Sequence, residues 1–194
     1  MDKGSPVSVI FTGEIGSDSP LLYCEMIQKA RYGESFKVRA QSCKVGAYVL
    51  GENGTDPEDY YFESGRYKNR QATKRAVSSL NRLEKRAGSM KIAPYRGEDF
   101  NILILFLKPE RAMRLIQAYT FSLGDPVEIK TGGIASVCSD CTAYPMQGKL
   151  GISLGCKGSR KHTGYADEEV VVGIPFEIAG ETEEALGKIP GTFE

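Results

Sequence analysis

Asn101 to Leu123 read NILILFLKPERAMRLIQAYTFSL, and this stretch decides the class of fold. Asn101 to Leu107 has strand length and is apolar after its first residue, the pattern of a central strand covered on both faces. Pro109 then suits the first turn of a helix, where its fixed φ fits and its missing N–H costs nothing. The periodicity predicts a helix over Glu110 to Leu123, with Ala112, Leu115, Ile116, Tyr119 and Leu123 as its buried stripe and Gly124 as its stop. A buried strand running straight into an amphipathic helix calls for a sheet with helices packed on it.

Working outward, the N-terminal side supplies more of the same elements. Pro6 to Thr12 (PVSVIFT) is a β-branched opening strand, and Ser17 to Pro20 (SDSP) caps a helix over Leu21 to Tyr32 with Leu22, Met26, Ile27 and Ala30 at helical spacing. Cys24 falls in the first turns of that helix. Phe36 to Ala40 alternates as a strand, and Cys43 follows it at an element end. Residues 52 to 63 carry five acids and no base, whereas 66 to 91 carry nine bases against Glu84 alone. The basic block reads as a helix over Gln71 to Ala87, with Ala72, Ala76, Leu80, Leu83 and Ala87 on one face. Its cationic side is a solvated face or a docking surface for an acidic partner. Toward the C-terminus, Pro126 to Lys130, Lys149 to Leu154 and Glu169 to Ile174 are strand candidates. A short helix from Glu177 through Leu186 follows, with fraying expected over 187 to 194. Without repeats or a convincing linker, the expectation is a single domain over 1–194 of α+β (mixed α/β) class, its mixed, partly parallel sheet flanked by helices.

Lysine plus arginine equals aspartate plus glutamate at 25 each, so no global field draws the chain to nucleic acid or to an anionic membrane. No N-terminal apolar segment has the length of a signal peptide, and Ile102 to Leu107 is far too short to span a bilayer. A cytoplasmic location is expected, with no membrane and no nucleic-acid partner. Five cysteines are an odd number, and a reducing compartment disfavours disulfides, which leaves core packing, metal ligation or redox chemistry for the thiols.

Chemistry concentrates between Gly132 and Tyr165, GGIASVCSDCTAYPMQGKLGISLGCKGSRKHTGY, which holds three of the five cysteines, the only histidine and seven glycines. Several segments resemble one family: Ala112 to Ala118 (AMRLIQA), Gly133 to Asp140 (GIASVCSD), Ser153 to Arg160 (SLGCKGSR) and Asp167 to Pro175 (DEEVVVGIP). Tyr23-Cys24, Cys43 to Ala47 (CKVGA) and Gly51 extend the likeness toward the N-terminus. Together they resemble the DUF169 family, a group of uncharacterised archaeal and bacterial proteins. The resemblance implies that Cys24, Cys43, Cys138 and Cys156 occupy the family's cysteine positions and that Cys141 is an addition. It implies no activity.

Four thiols from separate parts of the chain are what a 4Fe–4S cubane takes, one per iron. The spacings of 19, 95 and 18 residues match no compact ferredoxin motif, so the fold has to gather them. Glycines 132, 133, 155 and 158 would allow close backbone approach, and Lys44, Lys157 and Arg160 would offset an anionic cluster. The leading expectation is a cytoplasmic iron–sulfur or metal-binding protein of anaerobic metabolism with Cys24, Cys43, Cys138 and Cys156 as ligands and Lys157 and Arg160 beside them. It would serve electron transfer, cofactor assembly or sensing with a redox or other protein partner. Zinc on Cys138, Cys141, Cys156 and His162 is the alternative metal. Buried structural cysteine is the competing reading of each thiol alone. A Cys156/His162 nucleophile and base, with the backbone of 155 to 158 as an anion nest, is the enzymatic reading; whether any reaction is catalysed stays open. The remaining alternative is a module without metal. It would hold a small anionic ligand or an acidic partner through the basic helix and the glycine-rich cationic loop around Lys157, Ser159, Arg160 and Lys161.

Overall fold

The computed structural model describes residues 4–52, 56–84 and 88–190. Its strands are β1 (Val7–Thr12), β2 (Ser17–Asp18), β3 (Phe36–Ala40), β4 (Ser89–Pro94), β5 (Ile102–Leu107), β6 (Gly151–Ser153) and β7 (Val170–Pro175). They form one seven-stranded sheet in the order β2-β3-β4-β1-β5-β7-β6. Every pairing is antiparallel except the two-residue pairing of β2 with β3. The sheet is thus mixed, as expected, with its parallel share reduced to one edge.

The helices are α1 (Tyr23–Arg31), α2 (Lys44–Val49), α3 (Glu58–Glu63), α4 (Arg70–Ser78), α5 (Pro109–Leu123), α6 (Lys157–Thr163) and α7 (Phe176–Leu186). A π-helix spans Ser136–Ala143, and a 3₁₀ turn follows at Pro145–Gln147. No helix among the described residues is long and apolar enough to cross a membrane.

β5 divides the core as its sequence demands. Alternate side chains of a strand point to opposite faces, and Ile102, Ile104 and Phe106 join one apolar cluster while Leu103, Leu105 and Leu107 join another. The first cluster is closed by α1, α2 and the π-helix, through Met26, Ile27, Val49 and Val137. The second is closed by α5 through Ala112 and Leu115, with Ile178 of α7 at its margin. Pro109 does open α5, and Gly124 ends it with φ of 76°. Buried Arg31 donates 3.1 Å to Glu169 and lies 4.5 Å over the Phe106 ring, tying the end of α1 to the start of β7.

Four sequence expectations change. The basic helix stops at Ser78, where the hydroxyls of Ser78 and Ser79 donate to the carbonyls of Arg75 and Ala76 and compete with the helical ladder. Thr73 and Val77, rather than Ala72 and Ala76, are its buried residues, and the expected Ala87 lies outside the described residues. Pro126 to Lys130 forms no strand and is largely exposed. Leu123, assigned to the buried stripe of α5, is 36% exposed. Finally, β4, α2 and α3 are elements that no periodic pattern announced, and only residues 187–190 of the expected fraying tail are described.

Candidate functional site

Four elements carry one cysteine each to the same place. Cys24 sits in the first turn of α1, Cys43 and Cys156 are the residues that cap α2 and α6, and Cys138 lies within the π-helix. All four line one cavity of about 80 Å³. The packing explains the convergence: α1 lies against α6 and the π-helix, and α2 lies against the π-helix. Tyr23 Oη stands 2.8 Å from Thr142 Oγ1. Because Thr142 spends its proton on the Val137 carbonyl, the tyrosine is the donor, and the bond pins α1 to the π-helix. Gln41 Oε1 accepts from the Tyr23 N–H at 2.8 Å, while a Cβ on Gly46 would come within 2.2 Å of Gln41 Nε2. Glycine at 46 therefore lets one side chain bridge the starts of α1 and α2, which fixes Cys24 against Cys43.

The thiols differ in their partners. Cys43 Sγ accepts from the Gly46 N–H and Cys156 Sγ from the Ser159 N–H, each at 3.3 Å. Ser159 Oγ returns an acceptor to the Cys156 N–H at 3.0 Å, completing a reciprocal cap. Cys138 Sγ points a weak donor at the Ala135 carbonyl, 3.5 Å away. Burial pushes the Cys24 thiol up to about 12 and Cys138 well above its ordinary value, with the neighbouring cysteines adding in the same direction. Cys43 is also raised by burial, against the pull of the Gly46 and Val45 N–H groups. In the ligand-free protein Cys24, Cys43 and Cys138 are thus neutral thiols whose protons a soft metal would displace. Among the described residues no group of three or more His, Cys, Asp or Glu side chains is arranged to hold a metal ion. The four cysteines line a common cavity without forming a ready site for a single metal ion.

The other expected site residues are placed elsewhere. Cys141 is fully buried and donates to the Val171 carbonyl at 3.3 Å, against β7 rather than the cavity. His162 Nδ1 lies 3.4 Å from Glu25 Oε1 on the outside of the α1–α6 contact. The zinc set Cys138, Cys141, Cys156 and His162 is therefore not gathered. Lys157 is exposed and is not among the cavity residues. Arg160 is a structural clamp: it donates to the carbonyls of Leu154, Ala166 and Glu169, pairs with Asp167, and lies 4.8 Å over the Tyr165 ring. The Gly155 and Cys156 N–H groups of the supposed anion nest are already bonded to Ser153 Oγ and Ser159 Oγ. Two cations of the basic block are likewise engaged within the fold. Arg70 pairs with Asp59 at 2.5 Å, and Arg82 lies over Tyr48 and donates to its carbonyl.

What sequence reasoning missed lies in the backbone beneath the cysteines. The π-helix is recognised by bonds such as Tyr144 N–H to the Ser139 carbonyl at 2.9 Å, five residues back. Such turns are rare and concentrate at functional sites. Ala135, which precedes it and lines the cavity, has φ of 51°, the one positive φ outside glycine among the described residues. That conformation costs an alanine about 1 kcal/mol. Ser136, next along and also lining the cavity, is wholly buried, and its Oγ has no hydrogen-bond partner. An unsatisfied buried hydroxyl costs about 1–3 kcal/mol. Strain and an orphan polar atom thus fall on adjacent residues beside four thiols.

The family model of DUF169, described as Uncharacterised ArCR, matches residues 3–185. The chain belongs to the DUF169 family. An uncharacterized protein of Methanocaldococcus jannaschii, MJ0308, is 34% identical over 181 residues, which are 87% of this chain and 77% of that protein. No solved structure matches. Neither description names a ligand, so the chemistry of this DUF169 chain has to be argued from its cavity.

The opposite side of the π-helix is polar. Asp140 Oδ2 accepts from Thr131 at 2.7 Å and from Ser153 at 2.8 Å, and burial raises its carboxyl to about 6 against the pull of those two bonds. These contacts hold the middle of the π-helix to β6 and to the chain that leads into it. Replacing Asp140 with alanine in the DUF169 protein is expected to lower the unfolding free energy by about 2 kcal/mol, because two hydroxyls lose their acceptor. Asp140→Asn, whose Oδ1 can take both bonds without burying a charge, is expected to lose less. Urea unfolding followed by circular dichroism reads the order of the two.

Proposed function

We propose that this protein is a cytoplasmic carrier of a cysteine-ligated iron–sulfur cluster, with Cys24, Cys43, Cys138 and Cys156 as the ligands. The observation that carries the reading is that these thiols, from four separate elements, line one cavity. A cubane takes one thiolate per iron, so it asks for sulfurs spread around a space. Backbone N–H groups already donate to Cys43 and Cys156, the kind of donor that tunes a bound thiolate. The cation lining the cavity is Arg66, which lies 5.6 Å over the Tyr60 ring and 5.4 Å over Tyr61. It would offset part of an anionic cluster, the role expected of Lys157 and Arg160. Electron transfer, cofactor assembly and sensing are the roles open to such a site.

Anaerobic purification with metal and acid-labile sulfide analysis tests the reading. Iron and sulfide in equal amounts, with broad visible absorbance, are expected. Zinc without sulfide would replace the cluster by a thiolate metal site. A colourless, metal-free protein after anaerobic reconstitution with iron and sulfide, with all four thiols titrating freely, would sink the proposal and leave a small-molecule pocket.

A further inference from the structure

We propose that Ser136 is the hydrogen-bond donor that the cavity reserves for its ligand: once a cluster is bound, its Oγ donates to a cluster sulfide or to a ligating cysteine sulfur. The inference rests on the cluster reading above and assigns to it a residue that positions and tunes the group without ligating it.

The π-helix holds a contrast among its own hydroxyls. The π-helix carries three hydroxyls, at Ser136, Ser139 and Thr142, and all three residues are wholly buried. Ser139 donates to the Asn81 carbonyl at 3.0 Å, and Thr142 donates to Val137 at 2.8 Å while accepting from Tyr23. Only Ser136 is left without a partner, and only Ser136 of the three lines the cavity with the cysteines. The other two orphan atoms among the described residues, on Gln28 and Gln41, belong to residues that do not line it. A buried polar side chain is normally satisfied, and here the neighbouring elements satisfy every hydroxyl of the π-helix except the one that lines the cavity. The preceding residue, Ala135, holds the left-handed conformation that starts the π-helix at this point and sets Ser136 at the cavity wall. What the serine lacks is an acceptor, and sulfide and thiolate are acceptors.

Hydrogen bonds to cluster sulfurs favour the reduced, more negative state and raise the potential. The test compares Ser136→Ala with Ser139→Ala in the full chain, both reconstituted anaerobically with iron and sulfide. In Ser136→Ala the cluster is expected to assemble, its midpoint to shift to a more negative potential, and the metal-free protein to lose no stability. Ser139→Ala is expected to do the reverse, losing stability while keeping the parent's potential. A loaded Ser136→Ala protein with the parent's potential overturns the assignment of Ser136 and leaves the cluster reading standing. A loss of stability in metal-free Ser136→Ala also overturns it, because the hydroxyl then has a structural partner. A parent that takes up no cluster overturns both.

Discussion

Gly173→Ala is expected to cost at least about 3 kcal/mol and to remove the four-thiol cavity along with the stability, an overpacking effect at the upper end of its usual range. Gly173 and Gly151 stand opposite each other on β7 and β6, and the π-helix lies across this pair. A Cβ on Gly173 would come 2.0 Å from the Cys141 carbonyl oxygen and 2.7 Å from its carbon. A Cβ on Gly151 would come 2.1 Å from the Asp140 carbonyl oxygen. Both obstacles are backbone, so no rotamer change relieves them. β7 cannot yield, being paired with β5 on one side and β6 on the other. The π-helix has to lift, and Cys138 lifts with it. Gly180→Ala in α7 is the control: nothing lies within 4 Å of its added Cβ, and an alanine in a helix interior is expected to add up to about 1 kcal/mol. Urea midpoints of the three proteins decide the matter. A Gly173→Ala midpoint equal to the parent's would mean that the π-helix is not seated on this glycine pair.

This dependence of the π-helix on a paired-strand contact marks the boundary of what the sequence displays. β5 and α5 are legible because their signals are local: an unbroken apolar run, a proline at the first turn, a glycine after the last. β1, β3, β7 and α7 are legible for similar reasons. β4, with the sequence SMKIAP, is hidden by Lys91 at its centre and by the absence of a continuous apolar run, and it is a strand because β1 and β3 bracket it. α4 looked longer than it is because alanines and leucines continued its period, while the two serines that end it signal only through their hydroxyls. The π-helix could not be read at all. Its five-residue bonds depend on how closely its backbone can approach β6 and β7, which Gly151 and Gly173, distant in sequence but paired in space, decide only after folding.

The site was legible to the same degree. Four cysteine positions came with the family resemblance, and the fold brings all four to one cavity. The cations assigned to them did not follow, since a charge beside a cysteine in sequence says little about where a long side chain goes. Arg160 turns back onto the carbonyls of its own loop, whereas Arg66, which is adjacent in sequence to none of these cysteines, reaches the cavity from the chain after α3. Ser136 gave no signal either, because an orphan hydroxyl is defined by what the rest of the fold fails to offer it.

Cys138→Ser and Cys141→Ser, three residues apart in one π-helix, are expected to fail in opposite ways. Cys138 lines the cavity and Cys141 faces β7, so the pair separates ligation from packing in a single element. In Cys138→Ser, bound iron and acid-labile sulfide are expected to fall well below the parent's, because a hard hydroxyl replaces a soft thiolate. Its metal-free stability is expected to change by less than about 1 kcal/mol, since the substitution is close to isosteric and sits beside open space. In Cys141→Ser, iron and sulfide are expected to match the parent's. Its stability is expected to fall by about 1–2 kcal/mol, because a more polar group enters a fully buried site with a single carbonyl for a partner. Metal analysis and urea unfolding on both variants give four values with a fixed pattern. Retention of the cluster in Cys138→Ser with its loss in Cys141→Ser would move the ligand set to the β7 side of the helix, and the four-thiol cavity would lose its claim to the chemistry.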